Sequence, residues 1–380
     1  MSNHSFDYAI IGAGAAGLHL AIKFAEDPFF KNSKFLIVEK DEKTTNDRTW
    51  SFWEEPISRW DEITYKAWAT AKFCGSDECR TLPLGDYRYK TIRSAEFYAY
   101  AKNILADSGR FEWVKGEVDG VGENQIILGG KEFSSNHIFD SRVPQKFYDS
   151  KEKYQSLDQH FLGWIIESEE PVFDPDEFIM MDYRLKWNDD TSFTYILPFS
   201  STTALVEFTL FNSELIEKKD YEEKLKEYIK HYLKLDKYVI KEVEQGVIPM
   251  SDYPFHKHHT QTVTKIGTAG GWVRPSSGYS FKNGDRYSSQ IISNIKKGRK
   301  PPKGVASNRF RIYDAIFLRV LKDRNDLGEK IFHTLYTKHP IKKLFRFLDE
   351  RSTLKEDIQI MLSLNKQVFR KSLLKSVFKS

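Results

Sequence analysis

Asp7-Tyr8-Ala9-Ile10-Ile11-Gly12-Ala13-Gly14-Ala15-Ala16-Gly17 is the stretch that decides the fold. Asp7 to Ile11 is a short apolar run with strand character, and it leads directly into three glycines at GxGxxG spacing. Leu18 to Ala25, rich in Ala, Leu and Ile, reads as a helix, and Lys34 to Val38 reads as a second strand that closes on Glu39. Gly12 permits the tight turn, Gly14 lets the backbone approach a pyrophosphate, and Gly17 lets the helix sit close to the sheet. The free N–H groups of Ala13, Ala15 and Ala16 at the helix start then face the phosphates. Glu39, 22 residues beyond Gly17, is placed to accept hydrogen bonds from an adenosine ribose and disfavours a 2′-phosphate there. A glycine turn with no ligand is the plain alternative.

A second such unit lies far along the chain. Thr262 to Gly267 reads as a strand, followed by Thr268-Ala269-Gly270-Gly271, then by Ser276-Ser277-Gly278 opening a helix through Ile295. A flavin end and its ribityl chain need a return of the chain of this kind, which favours FAD over NAD as the dinucleotide.

With 380 residues, 40 % of them apolar, the chain can bury a large core and should divide into about two domains. Cys74 and Cys79 sit in a polar stretch with no second pair to complete a zinc site and no signal peptide ahead of them, so both are expected as reduced thiols. His256, His258 and His259 lack a carboxylate or cysteine to complete a set, so no metal site is expected. No window approaches the roughly 18 to 20 apolar residues of a transmembrane helix.

The net charge of +4 conceals an asymmetry: from Lys296 to Ser380 there are 22 Lys/Arg against 8 Asp/Glu, so a mildly acidic body carries a basic end. In Lys366 to Lys379, Phe369, Leu373, Leu374, Val377 and Phe378 recur at helical spacing among basic residues, with no acid. That is the pattern of a helix lying in an anionic membrane interface, with a terminal helix packed on its own protein as the alternative. Glu214 to Lys237, dense in Lys and Glu, reads as a solvated amphipathic helix, and nothing suggests nucleic-acid binding.

Past the glycine turn, Asn46-Asp47-Arg48-Thr49-Trp50-Ser51-Phe52-Trp53 ceases to be generic. Together with Gln159-His160-Phe161-Leu162-Gly163-Trp164, Met181-Asp182-Tyr183-Arg184, Leu205 to Phe211, Gly246 to Met250 and Ala269 to Ser280, it resembles, in order and over most of the chain, the lycopene cyclase family of carotenoid biosynthesis, of the flavin-binding bacterial type. Ser276-Ser277 stands where threonines are expected, and Trp272 occupies a variable position, so ring-type specificity does not carry over from it. The resemblance implies an intramolecular lyase (isomerase) that closes the ψ ends of lycopene, or of related carotenoids, into β rings, giving γ- then β-carotene. It implies FAD acting in reduced form, with NAD(P)H needed only as reductant.

Protonating an isolated alkene needs an acid kept neutral in a dry site. Glu207 lies in Ala204 to Phe211, whose β-branched and aromatic content suggests a buried strand, with Glu207 on the side of Leu205, Thr209 and Phe211. Pairing with Arg184 or Arg274 is the structural alternative; the resemblance places the family's essential glutamate here. Asp182 is the second candidate acid, with an ion pair to Arg184 as its alternative. Trp50, Phe52, Trp53, Trp272, Tyr279 and Phe281 are candidates to face a carbocation, and Arg48, Ala269, Gly270 and Gly278 to contact the cofactor.

The expected architecture is α/β with α+β character. A Rossmann-type FAD-binding domain is formed by 1–60 and 260–297, a smaller mixed or antiparallel substrate domain by 145–255, and a helical basic part by 300–380. Location at the cytoplasmic face of the membrane, without an obligate protein partner, is the expectation. Two other readings of this fold stay open: an FAD-dependent monooxygenase or dehydrogenase of an apolar isoprenoid, and a non-catalytic isoprenoid-lipid carrier.

Overall fold

The computed structural model describes residues 5–364 and Phe369. In chain order the elements are β1 (Ser5–Ile11), α1 (Ala15–Glu26), β2 (Phe35–Glu39), β3 (Thr49–Glu54), β4 (Lys66–Trp68), β5 (Thr70–Cys74), β6 (Cys79–Pro83), β7 (Arg88–Arg93), α2 (Ser94–Ser108) and β8 (Phe111–Lys115). There follow β9 (Gly120–Gly122), β10 (Gln125–Leu128), β11 (Lys131–Asp140), α3 (Gln145–Asp149), β12 (Ser156–Ser168), β13 (Glu177–Asp182), β14 (Thr191–Pro198), β15 (Thr203–Asn212), α4 (Lys218–His231), β16 (Tyr238–Ser251) and β17 (Val263–Lys265). Helices α5 (Phe281–Lys296), α6 (Asn308–Asp323), α7 (Gly328–Lys338), α8 (Ile341–Leu348) and α9 (Leu354–Ser363) complete the described chain.

The first sheet has the order β8-β2-β1-β11-β10-β9, with β17 pairing the far end of β11. Its centre is parallel, β8, β2, β1, β11 and β17 running the same way. Strands buried on both faces read as continuous apolar runs, and every residue of β2 is buried. Ile10 and Ile37 pack with α1, α2 and α5 on one face, while Ala9, Ile11, Leu36 and Val38 fill the other. The sheet thus draws on 111–140, outside the 1–60 and 260–297 expected for it. The intervening strands β3 to β7 and helix α2 hid that contribution, because parallel strands pair regardless of distance along the chain.

The second sheet has the order β16-β12-β15-β14-β13-β5-β6, antiparallel throughout except for β13 beside β5. A smaller antiparallel sheet, β3-β7-β4, lies apart from these two. One face of the second sheet packs Val206, Phe208 and Leu210 against Tyr221, Leu225, Tyr228 and Ile229 of α4, whose charged residues face outward. The opposite face, with Leu205 and Phe211, is covered by α6 to α9 through residues such as Leu318, Phe332 and Phe345. The basic C-terminal part is therefore also a wall of the core. Lys366 to Lys379 falls outside the described residues except for Phe369, which packs against that core.

Cys74 and Cys79, expected as free thiols, form a disulfide. The antiparallel register of β5 and β6 sets them directly opposite, with Cα atoms 4.0 Å apart. Five residues of separation carry no sign of that register.

Arg274 ties the wall to the dinucleotide return. Fully enclosed, it pairs with Asp314 of α6 at 3.2 Å and donates to the carbonyls of Phe347 and Leu348 at the end of α8. Burial raises the Asp314 carboxyl above the usual range against the pull of this guanidinium. Removing one partner of a buried pair costs about 3–5 kcal/mol. Urea unfolding of Arg274→Met should show a loss of that order, with the C-terminal helices the first to lose protection in hydrogen exchange.

Candidate functional site

A cavity of about 540 Å3 runs between the glycine turn and the second sheet. Its walls carry Gly14, Ala15, Ala16, Gly17, Arg48, Trp50, Glu207, Trp272, Gly278 and Tyr279, ten residues expected from the sequence at a cofactor or substrate site. Both halves of the chain contribute to one enclosure.

At the cofactor end, Gly14 is the N-terminal cap of α1 and no side chain caps its N–H groups, which leaves them open to an anion. A Cβ at Gly14 would meet nothing within 4 Å, so the turn offers free space there. A Cβ at Gly17 would come within 2.0 Å of the Gly12 carbonyl oxygen, which is why the helix can start this close to the strand only with glycine. Glu39 accepts the Ala13 N–H at 2.5 Å and the Asp41 N–H at 3.0 Å, one on each oxygen. A second lone pair remains on each oxygen for a hydroxyl. Two buried polar atoms in the wall, Gln159 Oε1 and Ser277 Oγ, have no protein partner. Gly278 has φ +72°, and a Cβ there would strike Gln159 Oε1. These features fit a phosphate-bearing dinucleotide: an uncapped helix start, an open glycine, an acid beside the turn and unpaired polar atoms further along.

Some expected contacts lie elsewhere. Gly12, Ala13 and Glu39 sit beneath the turn rather than on the cavity wall, while Ala269 and Gly270 lie behind the wall, with Gly267 and Thr268 facing the cavity in their place. A short 3-10 turn spans Gly267–Gly270, and Ala269 within it is buried. Trp53 is stacked on Phe345 at 4.5 Å and edge-on to Tyr279, so it props the wall without lining it, and Phe52 is likewise core.

Asp182 is also off the wall. It is fully buried, with Arg184 bound through Nε at 2.9 Å and through Nη2 at 2.5 Å, and it accepts the Tyr228 hydroxyl at 2.5 Å. The alternative role foreseen for it, a local ion pair, is the arrangement observed.

Glu207 differs in each respect. Its side chain faces the cavity, and among the described residues no lysine or arginine pairs with it, since Arg184 serves Asp182 and Arg274 serves Asp314. Glu207 accepts the Thr209 hydroxyl at 2.8 Å. The residue is half-buried and lines the cavity, and desolvation is the largest influence on its carboxyl. Burial, reinforced by the Glu244 carboxylate and opposed by Thr209, pushes the Glu207 carboxyl up to about 8.

The sequence did not single out Glu244, Tyr195, Tyr89 or Gly163, yet all stand around this acid. Tyr195 is the register partner of Glu207 on β14, and Gly163 its partner on β12. Tyr195 and Tyr89 share a hydrogen bond at 2.8 Å, and Tyr89 and Tyr279 one at 3.3 Å. Burial holds all three hydroxyls well above their usual pKa, so they stay protonated. The period-two pattern of Thr191–Pro198 put Tyr195 on one face with Phe193, but only the register names the strand it meets.

Architecture and cavity together define the dinucleotide-binding α/β fold of flavin-dependent enzymes. Over 97 % of its length the chain is similar in structure to a geranylgeranyl bacteriochlorophyll reductase-like protein of Thermoplasma acidophilum, with TM-score 0.61, 12 % identity and 99 % of that chain covered. It is similar to the flavin-dependent brominase Bmp2 over 99 % of its length, with TM-score 0.57, 15 % identity and all of that chain covered. The family model described as lycopene cyclase protein matches residues 7–374, and the chain belongs to that family. It is 28 % identical over 173 residues to the lycopene beta-cyclase of Paracoccus sp. (strain N81106 / MBIC 01143), a match spanning 44 % of this chain and 42 % of that relative.

A carboxyl whose folded pKa is raised binds its proton more tightly in the native state. Its contribution to stability is complete below the unfolded value near 4.5 and is lost as pH rises through about 8. Between those limits the loss is about 1.4 kcal/mol per pH unit. Denaturant unfolding from pH 5 to 8 should show the stability of the parent relative to Glu207→Gln falling with this slope, the difference cancelling buried histidines such as His19, whose lowered pKa acts in the opposite sense.

Proposed function

We propose that this chain is a lycopene beta-cyclase, closing the ψ ends of lycopene, and of related ψ-ended carotenoids, into β rings without net redox change. One observation carries the reading: an acid with no cationic partner among the described residues, kept protonated by burial, faces an aromatic cavity that is continuous with a dinucleotide turn. Family membership supplies the substrate class.

FAD is the cofactor we assign to the cavity. Gly14, Ala15, Ala16 and Gly17 would hold its pyrophosphate, Glu39 its ribose, and Arg48, Thr268 and Gly278 the remainder. When bound and reduced by NAD(P)H, the flavin supplies electron density that steadies a neighbouring cation.

The protein's own groups do the proton chemistry. Glu207 donates its proton to C2 of the terminal alkene, leaving a tertiary cation at C1. The C5–C6 double bond closes on C1 through C6, moving the charge to C5, and loss of the C6 proton gives the β ring. Trp50, Tyr195, Trp272 and Tyr279 line the path, and an aromatic face contributes about 0.5–2 kcal/mol of cation–π attraction when desolvated. The tyrosine hydroxyls, held protonated, do not compete as bases. Asp182 is assigned the structural role of anchoring β13 to α4.

An apolar substrate arrives from lipid. No helix among the described residues is long and apolar enough to cross a membrane. We assign a peripheral contact to α9, where Leu354, Ile358 and Leu362, four residues apart and each more than half exposed, form a stripe adjacent in sequence to the basic Lys366–Lys379.

Expression in a bacterium accumulating lycopene should convert it to mono- and bicyclic carotene. Glu207→Gln, still folded and flavin-bound, should lower cyclic product by at least about 100-fold, the usual scale for a lost general acid. Oxygenated pigments, or lycopene retained unchanged by the flavin-loaded parent, would overturn the assignment in favour of a monooxygenase or a carrier. In a separate test, replacing Leu354, Ile358 and Leu362 together by Ser should weaken cosedimentation with anionic phospholipid vesicles at least tenfold while leaving the unfolding midpoint within a few degrees.

A further inference from the structure

The second carboxylate of the cavity has a geometry of its own. Gly163 on β12 is the register partner of Glu207 on one side and of Glu244 on the other. With Tyr195 opposite Glu207, the four strands carry one continuous row, Tyr195, Glu207, Gly163 and Glu244. Residues in one row of a sheet share a face, so both carboxylates look into the cavity from positions about 10 Å apart at Cα, two strand spacings. Between them stands the one residue type with no side chain. A Cβ at Gly163 would press on Leu205 at 3.0 Å and on Glu207 at 3.2 Å, so glycine keeps the gap between the two acids clear.

Glu244 is held as firmly as Glu207 is left alone. Its Oε1 accepts the Thr49 N–H at 2.9 Å and its Oε2 accepts the Thr49 hydroxyl at 2.7 Å. Both oxygens of the group thus act as hydrogen-bond acceptors, the role a base requires. Both acids of the row line the same cavity, Glu207 protonated by burial and Glu244 fixed through both oxygens.

We propose that Glu244 is the base that ends the reaction, taking the C6 proton of the cyclised cation while Thr49 keeps its carboxylate in position. The inference rests on the cyclase reading above. The balance is closed: Glu207 loses one proton to C2, the C1–C6 bond forms, the C6–H bond breaks, and Glu244 gains one proton. C2 and C6 are both bonded to C1 in the closed ring, so a donor and an acceptor facing one cavity can serve them without the substrate turning over. Return of the proton from Glu244 to Glu207 across the Gly163 gap, directly or through water, resets the pair with no external acid. Loss of a proton from C4 instead would give an ε ring, so the position of Glu244 also determines ring type.

The test uses the full-length, flavin-loaded protein with reduced flavin and lycopene in D2O. The parent should give β rings carrying one deuterium each. Glu244→Gln should still protonate C2 reversibly, so recovered lycopene acquires deuterium while β-ring product falls about 100-fold or is replaced in part by ε rings. Thr49→Val, which removes the hydroxyl bond to Glu244 and keeps the backbone one, should reduce product less and raise the ε share, and Thr49→Ser should restore the parent pattern. Cyclisation by Glu244→Gln at the parent rate, or loss of deuterium exchange in step with product as Glu207→Gln would show, overturns the role of Glu244. Absence of both product and exchange in the parent overturns the cyclase reading itself.

Discussion

A carboxyl group held away from water with no cation beside it costs free energy unless it stays protonated. Glu207 meets that condition because the two arginines that might have neutralised it are committed elsewhere, Arg184 to Asp182 and Arg274 to Asp314. Each of those pairs has a structural task as well. The first joins β13 to α4 through Tyr228, and the second fastens α6 and α8 to the dinucleotide return. The neutral acid and the buried ion pairs are thus parts of one arrangement: cations are consumed where they hold the frame, and among the described residues none pairs with Glu207.

The C-terminal helices matter to this arrangement more than their basic composition suggests. Phe332, Tyr336 and Leu348 form part of the cavity wall, and the apolar faces of α6 to α8 cover the side of the second sheet that bears Glu207. Without that cover the carboxyl would face water and revert toward an ordinary acid. The same helices leave an aliphatic stripe on α9 outside, so one segment serves both the dryness of the interior and the outer surface.

A site of this kind asks little of individual side chains and much of their register. Glu207, Gly163 and Glu244 lie on three strands separated by about forty residues at each step, and they form a row only because β12 is paired on both sides. A slip of one residue in either pairing would turn a carboxylate to the α4 face. The bulge between Ile165 and Ile166 adjusts β16 beyond the row and leaves the row itself in register.

The local units were legible in the chain itself. Strand, glycine turn, helix, strand and acid over 7–39 follow from short-range sterics and hydrogen bonding. Family membership follows from ordered blocks, and the place of Glu207 in a buried strand from a lone acid in an apolar run. What tertiary structure alone decided was which distant groups meet. It sent Arg184 and Arg274 away from Glu207, removed Asp182, Trp53, Ala269 and Gly270 from the cavity wall, joined Cys74 to Cys79, and set Glu244 and Tyr195 beside the acid. Strand pairing and helix cover are long-range, and their partners are chosen by the burial of whole faces, so no window of sequence carries them.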